Sequence, residues 1–263
     1  MDLRLQGKLA LISGSSKGIG LAIARALAVE GARVIINGRE DAAVTAAISN
    51  IRAAAPAADV QSFVGDLSTA AAAAELVRRF PTADILVNNL GMFERKAFGD
   101  IADADWQHYF EVNVMSGVRL SRAYLPAMKE RNWGRVVFIS SESGIQIPPD
   151  MIHYGMTKTA QLAISRGLAE SCAGTGVTVN AVLPGPTLSD GNKAAIARRA
   201  PGRPFAEVER EFFEKIRPTS LLKRYATTDE VASMVVYVCS PLASATNGAA
   251  LRVDGGVVRA CFG

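Results

Sequence analysis

Short, unbroken apolar runs alternate along this chain with segments whose apolar positions recur every three or four residues, and the alternation continues almost from end to end. Runs of the first kind, bounded by turn residues, read as strands buried on both faces; segments of the second kind read as the helices that cover them. The first strand opens at Leu9 and breaks into a turn with glycines at 14, 18 and 20. A helix over Ile19–Glu30 follows, with Leu21, Ile23, Ala24, Leu27 and Ala28 at helical spacing, closed by Gly31. Further strands are predicted at Arg33–Ile36, Val60–Val64, Asp84–Val87, Arg135–Ser140, Val177–Leu183 and Ala249–Val253. Helices are predicted at Glu40–Ala55, Thr69–Phe80, Ala104–Lys129, Tyr154–Ala173 and Asp229–Cys239, the last capped by Thr227 or Thr228. Strand and helix periods exchange at each step, which predicts an α/β domain with a doubly wound parallel sheet of about seven strands and helices on both faces.

One stretch departs from the rhythm. From Thr187 to about Tyr225 there is no strand pattern, and the sequence is mixed and helical, including Phe205–Ile216. That is long for a connection at the carboxyl end of a strand, and such insertions commonly form lids or substrate loops. Phe205, Phe212, Phe213, Leu221 and Leu222 suggest a partly apolar lid, or residues that bury the loop against the core or a neighbouring subunit. No linker, repeat or second domain interrupts the pattern, so one domain over 1–263 is expected.

Composition narrows the class. The chain is 49% hydrophobic with only 6% aromatic residues, which suits close helix-on-sheet packing. Its net charge of +4 is small and forms no basic stripe, so nucleic acid is not an expected partner. Cys172, Cys239 and Cys261 are odd in number and far apart, without Cys/His ligand spacing; neither a disulfide scaffold nor a metal site is expected. With no signal sequence and no apolar run long enough to cross a bilayer, the expectation is a cytoplasmic protein without membrane contact.

The turn after the first strand is the first candidate site. Gly14 can take backbone angles closed to other residues, Gly18 admits a ligand close to the chain, and Gly20 lets the helix sit against the sheet. The helix start then presents unpaired N–H groups suited to a pyrophosphate. The spacing G-x-x-x-G-x-G is not the commoner dinucleotide pattern, and alone it is also compatible with a plain glycine-rich turn.

Tyr154 and Lys158 stand four residues apart, one face of one helix. An ammonium one turn away is expected to stabilise the phenolate and so bring the phenol towards neutral pH for proton exchange with a substrate oxygen. Ser141 ends a predicted central strand, thirteen residues before Tyr154, where its hydroxyl could hold the same oxygen. Ser140 is its rival, on the opposite side of the strand. Asn113 falls inside the long helix, where a buried amide needs a partner, a kink or a role. Glu142 reads equally as pocket lining or solvated surface, and His153, turned about 100° from Tyr154, as loop lining or a neutral surface residue.

Ser13 to Gly20, Asn88-Asn-Leu-Gly91, Asn113, Ser141, Tyr154-Gly-Met-Thr-Lys158, Asn180 to Gly185 and the ending Asn247-Gly to Val253-Asp-Gly-Gly256 together resemble the classical short-chain dehydrogenase/reductase family, in order and over essentially the whole chain. The resemblance implies a single-domain Rossmann fold and a tetrad of Asn113, Ser141, Tyr154 and Lys158. Tyr154 would be the acid/base, Ser141 would polarise the substrate oxygen, and Lys158 would hold the nicotinamide ribose. Asn113 would position a water that passes protons from Lys158 to solvent. Gly14, Ser16, Lys17, Gly18, Ile19, Gly20, Arg39, Asp66, Leu67, Asn89, Gly91, Tyr154, Lys158, Pro184, Gly185 and Thr187 would contact the nucleotide. Leu90 departs from the usual Ala of the Asn-Asn-Ala-Gly motif.

The family position for an acid that would hold a ribose 2′-hydroxyl is Gly38, followed by Arg39, with Lys17 in the turn. Two cations and no acid favour NADP(H), with NAD(H) as the alternative. The implied activity interconverts a carbonyl and a secondary alcohol in a small-molecule substrate. 3-Oxoacyl-carrier-protein reductases, sugar or polyol dehydrogenases and hydroxysteroid dehydrogenases are all similar. Carrier-holding arginines would fall at Asn132 and Thr175, neither of them basic, though Arg131 is adjacent. A nicotinamide-binding sensor without turnover is the alternative of another class. Such relatives are usually homotetramers.

Overall fold

A computed structural model describes residues 1–261; the last two positions of the expected domain lie outside the described residues. Strand β1 (Leu9–Ile12) leads through the glycine turn into α1 (Gly18–Val29). Then follow β2 (Arg33–Gly38), α2 (Asp41–Ala54), β3 (Val60–Val64), α3 (Ala70–Arg79) and β4 (Ile85–Asn88). Helix α4 (Asp103–Phe110) passes through a π turn (Glu111–Met115) into α5 (Ser116–Glu130), and β5 (Gly134–Ile139), α6 (Ile152–Ser171) and β6 (Val177–Pro184) complete the second half. After β6 come β7 (Thr187–Leu188), α7 (Asp190–Arg199), α8 (Phe205–Lys215), β8 (Ala226–Thr227), α9 (Thr228–Cys239) and β9 (Ala250–Val253).

Seven parallel strands form the main sheet in the order β3-β2-β1-β4-β5-β6-β9. Strand order reverses between β1 and β4, and that switch point opens a crevice at the carboxyl ends of the strands. Alternation along each strand divides the core in two. Ala10, Ile12, Ile36, Val137 and Ile139 pack towards α1, α2 and α9, whereas Leu11, Ile35, Val136 and Phe138 pack towards α3, α5 and α6. The doubly wound single domain expected from the periodicity is the fold observed.

Three local features differ from the sequence expectation. The long helix expected over 104–129 is broken at Asn113 by the π turn, which inserts one residue into the helical ladder and turns side chains that ordinary spacing would scatter. The stretch after β6 does hold strands: Thr187–Leu188 pairs with Ala226–Thr227, too short a run for any periodic signal. Helix α6 also starts two residues early, at Ile152. Thr227 is the cap of α9, in a reciprocal box with Glu230. Among the described residues no helix is long and apolar enough to cross a membrane.

Asn37, at the end of β2, ties the first three strands together at their carboxyl ends. Its Oδ1 accepts from Gly14 N at 3.0 Å, and its Nδ2 donates to the carbonyls of Phe63 and Gly65, each at 3.0 Å. Asn37→Ala leaves these main-chain groups without their partner in a buried setting, which costs about 2–4 kcal/mol. Urea denaturation would measure it; a loss below about 0.5 kcal/mol would show that the amide does not hold the turn.

Candidate active site

The glycine turn sits at the mouth of the switch point. Gly14 has a positive φ of 61°, and Asn89, just past β4, donates through Nδ2 to the carbonyls of Ser13 at 3.0 Å and Gly14 at 2.9 Å. A Cβ on Gly20 would come within 2.5 Å of that Nδ2, so the helix approaches the sheet only because residue 20 has none. Lys17 stands at the start of α1 without a side-chain cap, and the first turn holds no acidic residue. Its free N–H groups therefore face outward beside exposed cationic side chains, Lys17 and, past β2, Arg39.

The other residues expected at the nucleotide divide by what they can reach. Ser16 lies against Gly38, where a Cβ would meet its hydroxyl oxygen at 2.9 Å, and Ile19 is half-buried on the core. Asp66 is held ionised: burial opposes it, but hydrogen bonds from the Ser68 hydroxyl and N–H, with Arg39 nearby, lower its pKa overall. Leu67 points its side chain into the core, leaving only main chain for a ligand. Leu90 packs beside Gly14 and is half-buried against the same core. Pro184 pairs with Val253 in the sheet, and Gly185 is wedged against Asp254, whose carbonyl oxygen would lie 2.5 Å from any Cβ. Thr187 donates its hydroxyl to the Gly185 carbonyl at 2.9 Å. The chain then folds back so that Ser189 Cβ lies 3.6 Å from the position of a Cβ on Gly18.

Asn113, Ser141, Tyr154 and Lys158 gather next to this cradle. The π turn aims Asn113 at the loop after β4: its Oδ1 accepts from Met92 N at 2.8 Å, and its Nδ2 donates to Met92 O at 3.0 Å and Thr157 Oγ1 at 2.9 Å. Lys158 donates through Nζ to Ile139 O at 2.8 Å and to Gln161 Oε1 at 3.2 Å. A Cβ on Gly91 would lie 3.4 Å from Lys158 Nζ and 3.5 Å from Asn113 Oδ1, so that glycine keeps the approach to both open. Lys158 Nζ also sits 5.6 Å from the centre of the Tyr154 ring.

The two serines separate cleanly. Ser140 turns its hydroxyl to the Lys158 carbonyl at 2.8 Å, a structural bond, while Ser141 faces Tyr154 and donates to Glu142 Oε2 at 2.5 Å. Glu142 is not surface: it is 4% exposed, and its Oε1 accepts from Arg217 at 3.1–3.2 Å. Arg217 lies beyond α8, so the long connection is tied by an ion pair to the residue after Ser141. His153 is a correction of the same kind. It is fully buried against Tyr109, ring centres 4.2 Å apart, and Trp106, with both ring nitrogens unpartnered; burial lowers its pKa and keeps it neutral. Neither loop lining nor surface describes it.

The structure reverses the expected activation of Tyr154. Burial drives its hydroxyl above the ordinary phenol value, with the hydrogen bond to Ser141 opposing that and Glu142 adding to it. Burial also pushes Lys158 down to about 7. Desolvation is the leading cause in both, and each group is held towards its neutral form. Sequence reasoning missed Asn37, Gln161 and Arg217. Of these only Gln161 carried a signal, standing seven residues after Tyr154 and three after Lys158 on the same helix face.

Residues 14–258 match a family model described as Enoyl-(Acyl carrier protein) reductase. The oxidoreductase YvaG of Bacillus subtilis (strain 168) is 49% identical, with 100% of both chains covered. D-beta-hydroxybutyrate dehydrogenase of Cupriavidus necator is 34% identical over 97% of this chain and 99% of that one. The chain belongs to the short-chain dehydrogenase/reductase family. It is an oxidoreductase of the kind that acts between CH–OH and C=O with a nicotinamide nucleotide. Among solved members, the L-sorbose reductase of Gluconobacter frateurii, in complex with NADPH and L-sorbose, superposes with a TM-score of 0.91 at 31% identity, covering 99% of this chain and 100% of that one.

Glu142→Gln would leave the Arg217 charge without its partner in a nearly closed setting and cost about 3 kcal/mol, roughly 5–10 °C in Tm. Adding Arg217→Met should recover much of that loss. Calorimetry on both variants checks it; a double variant no more stable than the single would show that the pair is not coupled.

Proposed function

We propose that this short-chain dehydrogenase/reductase uses NADP(H) to interconvert a carbonyl and a secondary alcohol, with Tyr154 moving the proton. The observation that carries this reading is the convergence of Tyr154, Ser141, Lys158 and Asn113 beside a glycine turn whose helix start has no side-chain cap. The cradle fits a dinucleotide: the free N–H groups of α1 suit a pyrophosphate, and Gly18 and Gly91 leave the chain open to approach. Gly38 offers no carboxylate to repel a 2′-phosphate, and Lys17 and Arg39 are exposed and free to bind one. The NADPH complex of the L-sorbose reductase supports the same choice.

When bound, the nicotinamide supplies or accepts the hydride. The chain's own residues do the rest. A raised pKa keeps Tyr154 protonated, the form needed to donate to a developing alkoxide, and Ser141 stands next to it to share the charge. Lys158, close to half-protonated at neutral pH, is the group able to reload Tyr154. The connection from Thr187 to Tyr225 acts as lid. Phe212 stacks on Tyr225 and Phe213 meets it edge-on, ring centres 5.0 and 5.2 Å apart, and they give the connection a small core of its own. Arg217 pins its far side to Glu142.

Charge matching favours the substrate class. Because Glu142 neutralises Arg217, that guanidinium is not left beside Ser141 to hold a carboxylate, while the pair offers acceptors and donors to hydroxyl groups. Asn132 and Thr175 lie at the amino ends of β5 and β6, engaged with Gly176 N and the Cys172 carbonyl, and give no basic surface for an acidic carrier. A neutral, hydroxylated ketone or its polyol fits best.

A panel of ketoses, polyols, 3-oxo acids and acyl thioesters, read by NADPH oxidation or formation, tests this. Turnover should be highest with the neutral hydroxylated compounds; binding of NADPH without turnover of any of them would support the sensor instead. Tyr154→Phe should lose turnover by about 10²–10⁴-fold and keep NADPH binding, and Arg39→Ala should weaken NADPH about 10-fold with little change for NADH. Lys158 is protonated below about 7 and neutral above it, so reductive turnover should fall, and oxidative turnover rise, as pH increases through that value. A flat profile between pH 6 and 8 would oppose the assignment.

A further inference from the structure

The amide of Gln161 occupies the gap between Lys158 and the Asn113 main chain. Its Oε1 accepts from Lys158 Nζ at 3.2 Å, and its Nε2 donates to Asn113 O at 2.5 Å, with the side chain 2% exposed. The bond has a local cause. In the π turn the ladder shifts from four residues to five, and the carbonyls at its centre take donors from side chains: Val112 O from Ser116 Oγ at 2.6 Å, Asn113 O from Gln161. The resemblance places a proton-passing water between these same two groups. A primary amide donates and accepts at once, so it can join an ammonium to a carbonyl, but it holds no proton that ionises near neutral pH.

We propose that Gln161 is a positioning residue that stands where that water would, fixing Lys158 and Asn113 in one buried chain and closing the route by which solvent would reach the amine from the π-turn side. Protons then come to Lys158 only from the substrate face of the pocket. This rests on the reading in which Lys158 serves Tyr154. The groups facing the amine are few. Tyr154 is on the same helix, Ile139 on β5 offers a carbonyl, the π turn offers Asn113 and the loop after β4 offers Gly91; burial alone shifts Lys158, and among the described residues no carboxylate acts on it. A negative charge introduced at 161 would thus be the first one the amine meets.

The test is a titration of Lys158 by ¹⁵Nζ NMR in the full chain, its signal assigned by its loss in Lys158→Met, for wild type, Gln161→Glu and Gln161→Leu. The carboxylate should raise the Lys158 midpoint by about one pH unit or more, and removal of the acceptor should lower it. Gln161→Ala, which opens space for a water, should speed Nζ hydrogen exchange about tenfold and move the pH–turnover profile with the NMR midpoint. A packing role would lower Tm and leave both midpoint and exchange unchanged, and that result in any folded variant overturns the proposal; Gln161→Leu and Gln161→Ala serve if Gln161→Glu does not fold. The titration needs no turnover, so the two readings fail separately. An active Tyr154→Phe with shifted Lys158 midpoints removes the mechanism and keeps the Gln161 contact, whereas an inactive Tyr154→Phe with unmoved midpoints removes the contact alone.

Discussion

Burying a lysine amine at the carboxyl end of a parallel sheet carries a large desolvation cost, and much of the local architecture meets it with acceptors. Ile139 O is available because β5 ends there, and Gln161 because it lies one turn further along α6. Those contacts do not restore the amine to its ordinary pKa; burial still holds it at about 7. The result is a group balanced between charged and neutral forms near neutral pH. A fully solvated lysine would remain an ammonium and a poor proton source.

Side-chain amides do most of the joining. Asn37 binds the glycine turn to β2 and β3, Asn89 binds it to β4, Asn113 binds α4–α5 to both Met92 and α6, and Asn180 links β6 to the segment before β9 through Thr246 O and Ala249 N. Each has a donor and an acceptor on one planar group, which matches main chain at places where the sheet ladder has ended. A carboxylate in the same positions could only accept, and a hydroxyl has a single hydrogen to donate. These bonds hold the backbone around the crevice at the points where the strands end.

The seven strands of the main sheet and the shared helix face of Tyr154 and Lys158 were legible in the sequence because both rest on short-range regularities, an apolar period in the one case and a four-residue helical step in the other. What was illegible depends on separation or on burial. Glu142 and Arg217 are 75 residues apart, and no pattern announces that one covers the other. His153 looks polar in sequence, yet Tyr109 and Trp106 enclose it. The direction of the Tyr154 shift could not follow from a neighbouring charge alone, because attraction and desolvation oppose each other and only packing decides between them. The π turn leaves no trace in the period, since one extra residue in the ladder resembles ordinary helical drift.

The parallel pairing of Thr187–Leu188 with Ala226–Thr227 has an effect larger than its size. It fastens both ends of the long connection to the body of the domain, so everything between them behaves as a closed loop whose ends are already together. Closing such a loop depends only weakly on its length. The segment carrying α7 and α8 is therefore an exchangeable module: it can be lengthened, shortened or rebuilt to admit a different guest while the scaffold beneath stays in register.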